Sequence, residues 1–379
     1  MRRKDIIIYG AGKGACEQIE TWKTYFNIIA IVDKDQNKTG MEFYDFIIQP
    51  VDIISKLKYD FILVSTDNKK ETEIRKQLYT DYQICDEKII NSQGALALAM
   101  AERRKTFSSS KDDMKVYDCF MFFNEFELLK LRFELLDSFV DYFVIVESEK
   151  TFKGETKSLL FKERMGEFEK YKDKIIYVCP QNIPQPVVTD DIDWTIEKYQ
   201  RESIVNGLEK CRAEDLIIIS DVDELPDPML IEKIRKYSLD TSKDELKTQI
   251  EKEAVVLEQD LFYYYFNNKA DRKWRGTILC KYKNLVSIQW LRDNRNRISF
   301  IKNGGWHFSY LGDADRIKKK LESISDGVLY PDDNINDALN TGKLLDERWG
   351  TSSFIPIEDI GIPQISSWKN EYPSFFKDV

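Results

Sequence analysis

Short apolar runs closed by polar or glycine punctuation alternate with stretches of helical periodicity along most of the chain. Asp5 to Tyr9 is a continuous run of the kind a strand buried on both faces shows. It feeds directly into Gly10-Ala-Gly12-Lys-Gly14-Ala15, a G-x-G-x-x-A pattern that opens a helix. About twenty residues later a second run, Ile28 to Val32, ends in Asp33. A third, Phe61 to Val64, follows a helical segment from Val51 to Lys58 and stops at Ser65-Thr66. Strands alternating with helices predict an α/β fold with a Rossmann-like, doubly wound parallel sheet.

The pattern lapses between Arg103 and Lys115, where polar and serine-rich residues show no period. We therefore expect a first domain over 1–105, a linker over 106–114 and a second domain over 115–379. No internal repeat is visible. Strand signals resume at Val116 to Phe123, Asp141 to Glu147, Lys174 to Cys179 and Asp215 to Ser220. An amphipathic helix from Glu125 to Leu136 turns Phe126, Leu129, Phe133 and Leu136 inward. In open α/β sheets ligands gather beyond the carboxyl ends of such strands.

Composition narrows the function classes. A chain of 379 residues with 42% apolar and 32% charged residues buries two cores and is not disordered. A net charge of −9 excludes general binding to nucleic acid or anionic membrane, which requires a basic surface. Six scattered cysteines without a C-x-x-C pair read as buried thiols in a reducing compartment. Met1-Arg2-Arg3-Lys4 and the following isoleucines form a first strand rather than a signal peptide, and no run approaches the roughly 20 residues a membrane span needs. The expected location is the cytoplasm, at most peripheral to the inner face of the membrane.

The chemistry concentrates where the last of those strands ends, in Asp221-Val222-Asp223-Glu224. Three carboxylates in four residues repel one another unless a cation or water offsets them. Hard oxygen ligands suit Mg²⁺ or Mn²⁺, ions that bind through one or two carboxylates plus substrate phosphates. Asp221 and Asp223 thus read as a clamp for a metal and a diphosphate. In the first domain Gly10, Gly12 and Ala15 would cradle a phosphate at a helix N-terminus, with Asp33 accepting from a ribose hydroxyl. That reading opens an alternative, an NAD(P)-dependent nucleotide-sugar-modifying enzyme, for which the sequence offers no hydride-transfer partner. A non-catalytic nucleotide-sugar-binding protein is the other alternative.

Four ordered motifs carry a resemblance: Tyr117 to Glu125, Asp141 to Ser148, Ser220 to Pro226, and Gly304-Gly-Trp-His-Phe-Ser-Tyr310. Together they resemble glycosyltransferase family 17, whose members include a bisecting β-1,4-N-acetylglucosaminyltransferase. The resemblance implies a GT-A-like second domain, an inverting mechanism, a UDP-GlcNAc donor, and a glycan or lipid-linked glycan acceptor. It also implies that Asn124, Glu125 and Glu147 line the nucleotide pocket, and that Arg201 pairs with a donor phosphate or organises the acids. His307, the only histidine, becomes the third metal ligand or a diphosphate donor, and Trp306 a platform for a sugar face. Glu224, Asp260 and Asp293 are the candidates for the base that deprotonates the acceptor hydroxyl. Tyr263, Tyr264, Tyr265 and Trp274 form an acceptor wall or ordinary core.

The family's Ser-Phe-Ser-His-x-Glu-like stretch is replaced here by Glu322-Ser-Ile-Ser-Asp-Gly327, so the bisecting reaction itself is not carried over. The first domain resembles Rossmann-type units of bacterial polysaccharide-building enzymes. It stands where animal members carry a membrane anchor, which fits an enzyme of bacterial surface polysaccharide or glycoconjugate synthesis.

Overall fold

A computed structural model describes residues 3–65, 68–92, 94–95, 98–99, 114–186, 192–237, 245–346 and 350–378. The expected linker over 106–114 lies outside the described residues except for Met114. The chain forms two compact units, Met1–Ser108 and Ser109–Val379.

The first unit is a six-stranded sheet ordered β3-β4-β2-β1-β5-β6, with β1 Lys4–Tyr9, β2 Phe26–Asp33, β3 Glu42–Phe43, β4 Phe46–Pro50, β5 Phe61–Val64 and β6 Ile89–Asn91. Every pairing is parallel except the β3–β4 hairpin at one edge. Helix α1, Lys13–Tyr25, follows the glycine loop, and α2, Asn68–Tyr82, follows β5. The segment expected to be helical from Val51 to Lys58 is only a 3-10 helix, Val51–Lys56. Its two buried residues, Val51 and Ile54, are three apart, which matches a three-residue turn.

The second unit carries a larger mixed sheet, ordered β11-β15-β12-β13-β10-β7-β8-β9. Its strands are β7 Val116–Met121, β8 Tyr142–Val146, β9 Ile175–Val178, β10 Leu216–Asp221, β11 Glu224–Pro226, β12 Val255–Tyr263, β13 Asn268–Lys281, β14 Phe300–Ile301, β15 Gly305–Ser309 and β16 Ser352–Phe354. Strands β10, β7, β8 and β9 run parallel, and β13 joins β10 antiparallel. Helices α3 Phe126–Leu136, α4 Leu160–Arg164, α5 Thr195–Glu202, α6 Pro228–Tyr237, α7 Glu245–Lys252, α8 Ile288–Asp293, α9 Ala314–Ser323, α10 Asp332–Thr341 and α11 Ile365–Glu371 complete it.

Helix α3 departs from the amphipathic expectation. Besides the four predicted residues it buries Leu128, Leu131, Leu135 and a charged side chain, Arg132. Trp306 lies in the same hydrophobic cluster as α3. No disulfide links the six cysteines; Cys119 and Cys280, inside strands, are buried as expected, but Cys179 and Cys211 are half-buried and Cys16 and Cys85 exposed, because none of those four lies in a strand. Among the described residues no helix is long and apolar enough to cross a membrane.

Candidate active site at the end of the parallel strands

Strand β10 ends at Asp221 and β11 begins at Glu224, so the four acidic-motif residues form a tight link between two strands rather than a loose loop. Val222 turns into the core and leaves the three carboxylates on the other side. Arg132 holds this link from beneath. Its Nε and one terminal nitrogen donate to the two oxygens of Asp118 at 2.7 and 2.5 Å, and that nitrogen also donates to the Ser220 hydroxyl. Its other nitrogen donates to the carbonyls of Asp221, Val222 and Glu224 at 3.1, 3.3 and 2.8 Å. Arg132 and Asp118 are both completely buried, and a desolvated pair of this kind survives only with its hydrogen bonds satisfied.

Arginines and a lysine meet the acids from above. Arg292 donates to both Glu224 oxygens, to Asp221 Oδ2 at 2.7 Å and to the Gly276 carbonyl at 2.6 Å. Arg201, on α5, donates to Asp221 Oδ1 at 3.2 Å and to Glu197 at 2.9 Å. Lys320, on α9, donates to Asp223 Oδ2 at 2.7 Å. His307 Nε2 stands 3.4 Å from Asp223 Oδ1, and its Nδ1 is buried with no hydrogen-bond partner. Burial alone would raise the Asp221 carboxyl, but Arg292 and Arg201 outweigh it and bring the pKa down to about 2. Burial opposes the Asp223 charge too, and Lys320 with His307 hold that carboxyl far below the usual range.

Neighbouring elements fix these partners in place. Ser287 caps α8 by accepting from the Trp290 amide, while Glu202 accepts from the Gln289 amide at 2.8 Å, so the helix bearing Arg292 is tied to α5. Gly276 is required by space: a Cβ there would lie 2.0 Å from Glu224 Oε1. Gly305 has φ +126°, and its Cβ would meet the Leu225 carbonyl at 2.1 Å. These constraints allow β15 to lie against β11 with Glu224 opposite His307.

The structure gathers Asp221, Asp223, Glu224, Arg201 and His307 into one cluster, and electrostatics link Glu125 to Lys320 at its margin. Glu125 itself accepts from the amides of Phe123 and Asn124, which shapes the turn after β7. Other candidates lie elsewhere. Glu147 is fully buried and accepts from the first amides of α4 and from the Tyr177 hydroxyl. Trp306 faces the core, with its indole donating to the Ile360 carbonyl at 2.6 Å. Asp260 is paired with Lys269 and Lys273, and Asp293 with Lys198. Glu224 is inaccessible to solvent and also accepts from the Trp274 indole at 2.7 Å. Tyr263 and Tyr264 are buried in a cluster with α9 and α10.

In the first unit, Asp33 Oδ2 accepts from the Ala11 amide at 2.9 Å and from Lys38 at 3.0 Å, while Oδ1 accepts from the Asp35 amide. The acid thus braces its own glycine loop. Gly10 sits at φ +101°, and Gly12 caps α1 with open space where a Cβ would be. Gly14 lets the helix approach the Ser65 carbonyl.

Arg132, Arg292, Gly276 and Lys320 were not anticipated from sequence. Arg132 alone left a signal, a charge inside the inward stripe of Leu129, Phe133 and Leu136.

Comparison with known proteins assigns the family. The family model for glycosyltransferase family 17 matches residues 92–326, covering both β10 and β15. The chain belongs to glycosyltransferase family 17. A second model, described as C2185-like, N-terminal, matches residues 2–90. The human and rat β-1,4-mannosyl-glycoprotein 4-β-N-acetylglucosaminyltransferases are each 37% identical over 109 residues, and the mouse protein is 36% identical. The match takes in 27% of this chain and only 20% of each relative's length. A UDP-D-quinovosamine 4-dehydrogenase from Vibrio fischeri is 18% identical over 24% of this chain and 75% of its own, with a TM-score of 0.20, too slight a likeness to bear on fold or activity.

Proposed function

We propose that this chain is an inverting N-acetylglucosaminyltransferase that moves GlcNAc from UDP-GlcNAc onto a glycan or lipid-linked glycan of a bacterial surface polysaccharide or glycoconjugate, assisted by Mn²⁺ or Mg²⁺. The observation that carries the reading is the braced turn from Asp221 to Glu224 at the carboxyl end of β10, where an open α/β sheet takes its ligand. The names of the animal relatives support the sugar. The departure at Glu322 to Gly327 and the short coverage of those relatives favour a different acceptor.

Among the described residues no three acidic, histidine or cysteine side chains converge as a ready metal site, and the oxygens of Asp221 are held by Arg201 and Arg292; Asp223 and His307 would supply two ligands to an arriving ion and its diphosphate the others. A cation held there would supply positive charge against the departing diphosphate. Arg201 and Arg292 hold Asp221 ionised beside it. Glu224 is the least suited of the three candidate bases, since Arg292 and Trp274 occupy its oxygens. It acts in this proposal as the anchor of Arg292. Asp260 and Asp293 are the remaining candidates for accepting the hydroxyl proton.

The test is to incubate the protein with UDP-, GDP- and CMP-sugars plus Mn²⁺ and to measure released nucleotide. Release from UDP-GlcNAc that falls on the order of 100-fold in Asp223→Ala is expected. No release from any donor, or release unaffected by Asp223→Ala, overturns the reading.

A further inference from the structure

A lysine without an acceptor lies at the ends of β7 and β8. Lys157 Nζ is enclosed by the chain and has no hydrogen-bond partner among the described residues. Burial pushes this ammonium below its ordinary range, and the acids that face it, Glu147 and Glu125, offset only part of the shift. Both acids are committed elsewhere. Glu147 accepts from the Phe161 and Lys162 amides and the Tyr177 hydroxyl, and Glu125 from the amides of Phe123 and Asn124. A buried cation without a hydrogen-bonded anion is costly, so its place in the fold calls for an anion from outside the chain.

A second lysine is brought to the same spot. Residues 149–157 form a short hairpin, closed by the Lys150–Thr156 bridge and by the bond from the Lys157 amide to the Glu149 carbonyl. The hairpin is tied to the end of α9: the Phe152 amide donates to the Ser323 carbonyl at 3.2 Å, and Lys153 Nζ donates to the Leu321 carbonyl at 3.1 Å. Helix α9 carries Lys319, which is exposed. Lys157 Nζ and Lys319 Nζ lie over one ring, 5.3 and 5.9 Å from the centroid of Phe123. Phe123 stands two residues beyond Met121, whose strand partner is Asp221, so both ammonium groups reach the end of the sheet where ligands gather. Two like charges on one ring repel, and a phosphoryl group, which lysine binds as a point charge, relieves both.

We propose that Lys157 and Lys319 receive the phosphoryl oxygens of the donor's nucleoside diphosphate, with the Phe123 ring holding the two ammonium groups until it arrives. The inference deepens the function proposed above and rests on its donor class. The charge it assigns to the diphosphate comes from the chain's own side chains.

Calorimetric titration with UDP and with uridine, divalent ions removed by EDTA, reads that charge alone. Wild-type protein is expected to bind UDP at least roughly tenfold tighter than uridine. Lys157→Met should lose roughly tenfold in UDP affinity, keep its uridine affinity and show a thermal midpoint at or above wild type, because it removes an unpaired buried charge. Lys319→Met, at an exposed position, should lose about threefold. UDP affinity unchanged in Lys157→Met overturns the proposal. So does an equal loss for uridine, which marks a base subsite, or a loss accompanied by a lowered midpoint, which marks a structural role. If Lys157→Met does not fold, equal wild-type affinity for UDP and uridine overturns it, as does a Lys319→Met variant with unchanged UDP affinity. Donor turnover in a protein whose UDP binding ignores Lys157 sinks this proposal alone. Lys157-dependent UDP binding in a protein that turns over no donor sinks the functional reading alone.

Discussion

The two units each end a parallel strand in an acidic residue beside a turn, and they treat that acid differently. In the first unit Asp33 is satisfied by the Asp35 amide and Lys38 from the loop after its own strand and by the Ala11 amide from the glycine loop after the neighbouring β1. In the second, Asp221, Asp223 and Glu224 draw Arg201, Arg292, Lys320 and His307 from four separate elements, and Arg132 secures the backbone of the turn from the core. The first arrangement ties two neighbouring strand ends together with amides and one half-exposed lysine. The second concentrates charge at a desolvation cost, which is why the proposed chemistry is assigned to it.

Removing Arg132 should break this contrast most severely. Arg132→Met leaves Asp118 charged and buried and frees three carbonyls, so we expect the second unit to lose about 3–5 kcal/mol in urea denaturation. Gly276→Ala is expected to cost about 1–3 kcal/mol, since its Cβ overlaps Glu224, and to reduce donor turnover by unseating Arg292. Turnover equal to wild type would show that the Glu224–Arg292 geometry is dispensable.

Acid titration sharpens the comparison. The Asp221 pKa is depressed to about 2, so the stability it contributes is complete above the ordinary carboxylate range and disappears as pH falls from about 4 toward 2. Asp221→Asn should flatten that acid limb when unfolding free energy is followed against pH. The smallest effect belongs to the first unit, where Asp33→Ala should cost about 1–3 kcal/mol through the unpaired Ala11 amide and leave donor release unchanged. A loss of transfer activity in that variant would place part of the chemistry in the first unit.

Much of the framework is legible in the chain. Continuous apolar runs located β1, β2, β5, β7, β8, β9 and β10 to within a residue or two, because strands buried on both faces leave an uninterrupted signature. The acidic motif announced itself by position. Arg201 and His307 were legible too, but two partners were not: Arg292 lies 71 residues from Asp221 and Lys320 lies 97 from Asp223, and only the folded sheet brings them together. Repulsion among the three carboxylates calls for an offsetting cation, and Arg201, Arg292 and Lys320 supply such charge from the chain itself. Lys320 ends a run of three lysines that local pattern cannot tell apart. Glu147 is assigned to the pocket by the family resemblance, and in the fold its carboxylate accepts from the Phe161 and Lys162 amides of α4.

Gly305 also has a consequence for how the enzyme is made. Side chains along β15 alternate, so His307 reaches Asp223 while Trp306 enters the core. A slip of one residue against β11 would exchange them, carrying indole into the acidic cluster and imidazole into the hydrophobic interior. The crowding at Gly305 leaves no room for a side chain against the Leu225 carbonyl, so a slip that brought Trp306 to that place could not close the strand.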